Sequence, residues 1–359
     1  MTDLKRFLLA VTILTLAAIS CDESGDLPPT PRTSLPEEPT ANSSAVPKRD
    51  RILELDANPP QNDDYDRVMD LARDLGAESI RLSVYWDDLE TSPGVYNPEP
   101  NWLAIANSYY PAQDFQVSLV ISVLDTTEIR LPADLEGKPL DDPEVITRFK
   151  DLLNYIAQET PDLELTSLAI GNEIDGVLGM DTSAWETYTR FFKAAAEESR
   201  TLWPDVPVGA KVMLEGLTGD SREYARSLND SADVVMTTYY PLAGDFRVLD
   251  PSLIHDDFDQ LGALYPDREI HITEIGFPTS EVNGSSPELQ AEFIREMFAA
   301  WDDHPDQITL ISYSWLSDLS DPSVRELEGY YGLSNPAFGE FLRTLGLRTY
   351  PGGGEDKPG

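Results

Sequence analysis

The feature that most constrains the fold is an alternation that runs along most of the chain. Short β-prone runs at residues 52–55, 79–84, 116–123, 167–171, 207–212, 233–238, 269–273 and 308–314 are separated by stretches long enough for helices. The clearest amphipathic stretches are 65–75, 143–158, 185–203, 251–265, 287–303 and 336–345, and several open on Pro, which suits the first turn of a helix. Such alternation builds βα units around a parallel sheet. The first run and the helix after the second are weakly marked, so counting alone leaves a doubly wound open sheet in play. Eight runs in roughly 300 residues without a glycine-rich phosphate fingerprint favour a (β/α)8 TIM barrel over residues 51–350.

The ends of the chain have a different composition. Lys5 and Arg6 precede an apolar stretch at 7–20 that is too short for a comfortable membrane span, and small residues lead into Cys21. Residues 1–20 therefore resemble a bacterial lipoprotein signal with Cys21 as the lipidated residue, although Ala18 stands where Leu is usual. Cys21 is the only cysteine, so a chain beginning there has no intramolecular disulfide and no cysteine metal site. Residues 21–50, rich in Pro, Ser, Thr and acid, read as an extended tether, and 351–359 as a flexible tail. The expected location is the bacterial cell envelope, with the domain tethered to lipid and monomeric.

Charge narrows the partners. The formal net charge is -39, from 65 acidic against 26 basic side chains, and a field of that sign opposes nucleic acid and anionic lipid surfaces. The excess of carboxylates suits either a salt-tolerant surface or an ordinary acidic secreted protein.

In a barrel of this class, catalytic groups sit where strands end. The second run carries Arg81 and leads to Tyr85, Trp86 and Asp87; the third leads to Asp125. In "LAIGNEIDGV" (168–177) the fourth run stops at Gly171 and hands over to Asn172 and Glu173. The sixth reaches Tyr239 and Tyr240, the seventh Glu274, and the eighth Trp315 and Asp318. Two carboxylates at one mouth suit cleavage of a glycosidic bond, which needs an acid for the departing oxygen and a second carboxylate to attack the sugar or activate water. Glu173 and Glu274 form the best pair, and this chemistry requires no cofactor and no metal.

These motifs resemble the large clan of retaining β-glycosidases on TIM barrels, clan A of the glycoside hydrolases. "GNEID" is similar to the clan's fourth-strand element, which implies that Glu173 is the acid/base and that Asn172 partners the sugar's 2-hydroxyl. "IHITEIGFPTS" (270–280) is similar to the seventh-strand element and implies that Glu274 is the nucleophile. The stretch 79–97 resembles the second strand with its Arg81, "MTTYYPL" (236–242) resembles the sixth strand of the arabinogalactan endo-β-1,4-galactanases with Tyr240 against the nucleophile, and Trp315 takes the place of a sugar platform. One departure stands out: Thr238 occupies a place where many members carry His. The resemblance implies a polysaccharide or oligosaccharide substrate, hydrolysis through a covalent glycosyl-enzyme, and an open cleft suited to endo attack.

Each residue also has a structural alternative. Trp86, at a strand-to-helix loop, is read as a substrate-binding residue that stacks on a sugar face, with burial as its alternative and the better reading for Trp102; Arg81 could be an internal ion-pair partner, and one of Tyr239 and Tyr240 could pack outward, with Tyr240 preferred for the mouth. Asp125 and Asp318 are the kind of residue found in solvated turns. His255, His271 and His304 lack zinc spacing, and Asp63, Asp64 and Asp66 fit a helix start. A non-hydrolytic glycan receptor on the same scaffold is the competing function, made less attractive by two mutually repelling carboxylates that a pure binder would not need. A metal-dependent lyase is the third reading, and no convincing metal cluster supports it.

Overall fold

The structure, a computed structural model, describes residues 48–358. Cys21, the leader and most of the tether lie outside the described residues. Parallel strands follow one another around a (β/α)8 barrel: Ile52–Asp56, Ser79–Tyr85, Gln116–Asp125, Leu165–Asn172, then a fifth strand in two pieces, Val208–Gly209 and Lys211–Met213, and finally Val235–Tyr239, Ile270–Ile275 and Ile308–Ser314. The ring closes through the divided fifth strand. Its first piece pairs with the fourth strand (Ala169 beside Gly209) and its second with the sixth (Met236 beside Lys211).

Helices form where the sequence supplies both a start signal and an apolar face. Asp142 accepts from the Glu144 amide and Pro143 occupies the first turn of Pro143–Glu159; Ser286 and Pro287 do the same for Pro287–Asp303. Asp64 caps Tyr65–Asp74 through the Arg67 amide, the helix-start role read for this acidic group. The helix expected from residue 185 begins earlier, at Thr182, because Asp181 accepts from the Ser183 and Ala184 amides. The weakly marked helix after the second strand forms at Trp102–Ala112 and carries Pro111 near its end, which weakens the pattern there.

The main core lies between the barrel wall and the helices, with Phe149, Phe191, Tyr188, Phe258 and Phe293 among its fully buried rings. Inside the barrel, Val120, Ala169, Val234 and Met236 form a separate plug. Gly209 belongs to this close packing, since a Cβ there would stand 2.8 Å from the Val234 carbonyl and 2.9 Å from Met236 Cγ. The plug makes the interior a solid floor, so chemistry is confined to the strand ends above it.

The end of the chain departs from expectation. Residues 351–358 fold back on the barrel mouth: Lys357 Nζ donates to Asp318 Oδ1 at 2.6 Å, to the Thr344 carbonyl at 3.0 Å and to Thr279 Oγ1 at 3.1 Å. Composition suggested a loose tail, but one lysine with three acceptors on the barrel gives the segment a fixed seat.

Candidate active site

Glu173 owes its position to a bend at the end of the fourth strand. Gly171 adopts φ +85°, and a Cβ there would meet Ile174 Cγ2 at 2.5 Å and the Tyr188 hydroxyl at 2.8 Å. Glu173 itself sits at φ +44°, left-handed backbone that side chains other than glycine rarely adopt. The bend points its carboxyl into the mouth, where Thr126 Oγ1 donates to Oε2 and Thr238 Oγ1 to Oε1, both at 2.8 Å. Burial pushes this carboxyl up and the charge of Glu274 adds to the effect, while the two hydroxyls and Lys211 pull the other way; the result is about 7.

Glu274 reaches the same mouth through a β-bulge. The sixth and seventh strands pair Thr237 with Ile272 and then Thr238 with Glu274, so Thr273 is the extra residue. Bulges of this kind re-aim a side chain next to a site. Glu274 thereby shares a face with Thr238, the residue whose hydroxyl holds Glu173. Its own partners are different: Arg81 Nη1 lies at 3.0 Å, Lys211 Nζ donates at 2.5 Å and the Tyr240 hydroxyl at 2.8 Å. Burial alone would raise this group, but the charges of Arg81 and Lys211 and the hydrogen bonds from Lys211 and Tyr240 outweigh it and hold Glu274 at about 2. Arg81 is disfavoured by burial too, and Asp56 and Glu274 more than restore its charge.

The structure thus brings Arg81, Asn172, Glu173, Tyr240 and Glu274 together, and Arg81, Asn172, Glu173, Glu274 and Trp315 all line one cavity of about 770 Å³. Asn172 hydrogen-bonds Asp125 and keeps its Oδ1 buried with no partner, an acceptor left for a hydroxyl to satisfy. Tyr239 points away from the mouth, donating to Asp257 and packing on Phe258 and Phe293. Trp86 requires a correction: it is fully buried behind the second strand, its ring edge-on to Phe149 and its indole N–H on Glu90 at 2.7 Å, so it presents no face to a sugar. The strand ends one residue before it and a short helix turns the ring inward. Trp102 packs against the core as well.

Asp125 and Asp318 are not solvated turn residues. Asp125 is buried and accepts from Ser122 and Tyr330; burial pushes its carboxyl up against the pull of those hydrogen bonds. Asp318 is held by Lys357. Of the histidines, His255 and His304 pair with helical carboxylates, and His271 lies buried within the seventh strand.

Sequence reasoning missed Thr126, whose hydroxyl holds Glu173, and Lys211. The Lys211 side chain is 1% exposed, and it is one of only two cations touching Glu274 among the described residues. A signal was present: a lone lysine inside the apolar run "VGAKVM", two residues from Gly209 and hence on the same barrel-facing side.

No family model matches the sequence, and no curated protein does. Solved structures with the same barrel do. The exo-beta-1,4-mannosidase Op5Man5 from Opitutaceae bacterium strain TAV5 has 17% sequence identity and a TM-score of 0.62, covering 83% of this chain and 56% of its own. GH5_18 from Streptomyces cattleya, solved in complex with GlcNAc, is 16% identical with a TM-score of 0.62, covering 78% of this chain and 69% of its own. The beta-glucosidase 1317 is 14% identical with a TM-score of 0.56, covering 79% and 82%. The chain spans just over half the length of the first of these. At such identities the likeness establishes the fold alone, a (β/α)8 barrel.

Proposed function

We propose that the protein is a retaining β-glycoside hydrolase. The observation that carries this reading is the pair of buried carboxylates in opposite protonation environments, Glu173 near 7 and Glu274 near 2, tied to each other through Thr238. Pairs of carboxyls whose surroundings separate their proton affinities divide into an acid and a base or nucleophile. In the first step a Glu274 oxygen bonds to the anomeric carbon while the bond to the leaving oxygen breaks and that oxygen takes the Glu173 proton. In the second, water gives a proton to Glu173 as its oxygen bonds to the anomeric carbon, and the ester to Glu274 breaks. Retention calls for carboxyl groups about 5 to 5.5 Å apart, and the charge of Glu274 raises Glu173 across the mouth they share.

The solved structures named above, a mannosidase and a glucosidase among them, make a carbohydrate substrate the natural extension of the barrel likeness. Neutral β-linked glycans, galactans included, are the first substrates to try. The same reading takes the leader and Cys21 as an envelope anchor for a monomeric enzyme. The test is product stereochemistry on β-linked oligosaccharides and aryl β-glycosides. Retained configuration and a loss of more than about four orders of magnitude in Glu274→Gln are expected; inverted product, or a variant as active as the parent, would overturn the proposal.

A further inference from the structure

The connection after the eighth strand contains the helix Asp321–Tyr331, which has no place in the basic barrel repeat. Ser320 caps it, accepting from the Ser323 amide, and Val324 and Leu327 bury against Phe338, Phe341, Leu342 and Leu345 of the final segment. That apolar cluster fixes the near end of the helix above the eighth strand. Tyr331 at the far end rests on Phe338 of the same cluster, while the side chain of Tyr330 reaches to the other side of the mouth, its hydroxyl donating to Asp125 at the end of the third strand. In the ring order the first and second strands lie between these two anchors. From Val324 to Tyr330 the helix advances about 9 Å, and the extended tyrosine side chain carries the contact on to the third strand.

We infer that this helix, latched by Tyr330 on Asp125, roofs the glycone side of the cleft and restricts the enzyme to the non-reducing ends of β-linked chains. The inference rests on the hydrolase reading above. Its direction follows from the placement of the acid/base: the leaving portion of the substrate departs past Glu173 on the fourth strand, and the glycone lies on the opposite side, toward the first and second strands. That side is walled. Asn58, Gln61 and Tyr85 from those strand ends line the cavity beneath Glu326, Gly329 and Tyr330 of the helix. None of the cavity's lining residues comes from the fifth or sixth strand or from the connections that follow them.

The latch is supported from below. Arg130 stacks on the Tyr85 ring at 3.9 Å, lies 6.0 Å from the Tyr330 ring, and donates to Asp87 at 2.8 Å, so Tyr330 closes onto a preformed base. The neighbouring Tyr331 lines the same cavity as Glu173 and Glu274. A chain continuing past the glycone would have to pass through the Tyr330–Asp125 bond. The open cleft and endo attack expected from sequence therefore give way to chain-end attack.

The experiment uses β-linked oligosaccharides labelled at the reducing end, with the viscosity of the parent polymer followed in parallel. The intact protein is expected to shorten labelled chains from the unlabelled end in a regular ladder, with little early loss of viscosity. Tyr330→Ala is expected to give mid-length labelled fragments and a several-fold faster fall in viscosity per bond cut; Tyr330→Phe, which removes only the hydrogen bond, serves if the alanine variant does not fold. Mid-length fragments from the intact protein at the earliest times, or an unchanged ladder from the variants, would overturn the inference. Cleavage of aryl β-glycosides separates the two levels: internal cutting by a protein that hydrolyses them sinks only the roof, whereas no cleavage of any of them sinks the hydrolase reading as well.

Discussion

Glu173 and Glu274 carry the same functional group at the same barrel mouth, yet the fourth-strand end and the seventh-strand end treat it in opposite ways. At the fourth-strand end Glu173 meets two neutral hydroxyls, Thr126 after the third strand and Thr238 on the sixth, and is left to feel its burial. At the seventh-strand end Glu274 meets two cations and a phenol, Arg81 from the second strand, Lys211 from the fifth and Tyr240 just past the sixth. Desolvation acts on both groups, so it cannot be what separates them. The separation comes from where the positive charge is placed, and Lys211 and Arg81 both touch Glu274. Ionised Glu274 then repels a second negative charge and helps keep Glu173 protonated, so the two ends work as one device.

That contrast can be broken most severely at the acid. Glu173→Ala is expected to slow hydrolysis of substrates with poor leaving groups by about 10²- to 10⁴-fold while sparing the first step on activated aryl glycosides, which leave without a proton. Pre-steady-state kinetics on the two classes would show the split, and equal loss of the first step on both would remove Glu173 from the role. Stability offers a second measure. A carboxyl at about 7 in the folded chain and near 4.5 when unfolded favours folding fully below pH 4.5, and this contribution is lost as pH rises from 4.5 through 7. Glu173→Gln should therefore gain stability over the parent across that window, on the order of 3 kcal/mol by pH 8. Urea titrations at pH 5 and pH 8 would test it, and an equal difference at both would count against the assignment. Glu274 runs the other way, its contribution present above pH 4.5 and lost as pH falls toward 2.

The third test sharpens the contrast by removing one cation. Lys211→Met should raise Glu274, moving the acid limb of kcat/KM upward by about one unit or more, and Lys211→Arg should restore it in part. The alkaline limb should move upward too, because Lys211 also lowers Glu173. Activity measured from pH 3 to 9, with folding checked at each point, reads both limbs. A variant with lowered rate but unmoved limbs would assign Lys211 to packing alone.

Much of this was legible in the chain because the barrel converts order along the sequence into position around a ring. Each strand run was found close to its observed place, and Gly171, Asn172 and Glu173 mark the end of the fourth strand in the sequence as they do in space. Trp86 was misread because strand-end position does not say which way the next turn rolls a side chain, and a short helix rolled this one into the core. Lys211 was overlooked because a single charge inside an apolar run carries no motif, although its spacing from Gly209 marks it as inward. The roof helix and the seat of Lys357 depend on contacts between segments far apart in sequence, about which local pattern is silent. Thr238 is the instructive middle case: its identity was noticed as a departure, and its hydroxyl contact with Glu173 could be seen only in three dimensions.

The bulge in the seventh strand has one more consequence. Because side chains alternate from one face of a strand to the other, a single-residue excision there would rotate Glu274 away from the substrate without altering any residue that touches the sugar. The proposed reaction depends on counting as much as on composition: two sequences identical in every polar group at this rim, but differing by one backbone unit beneath it, would differ in whether Glu274 faces Glu173 at all.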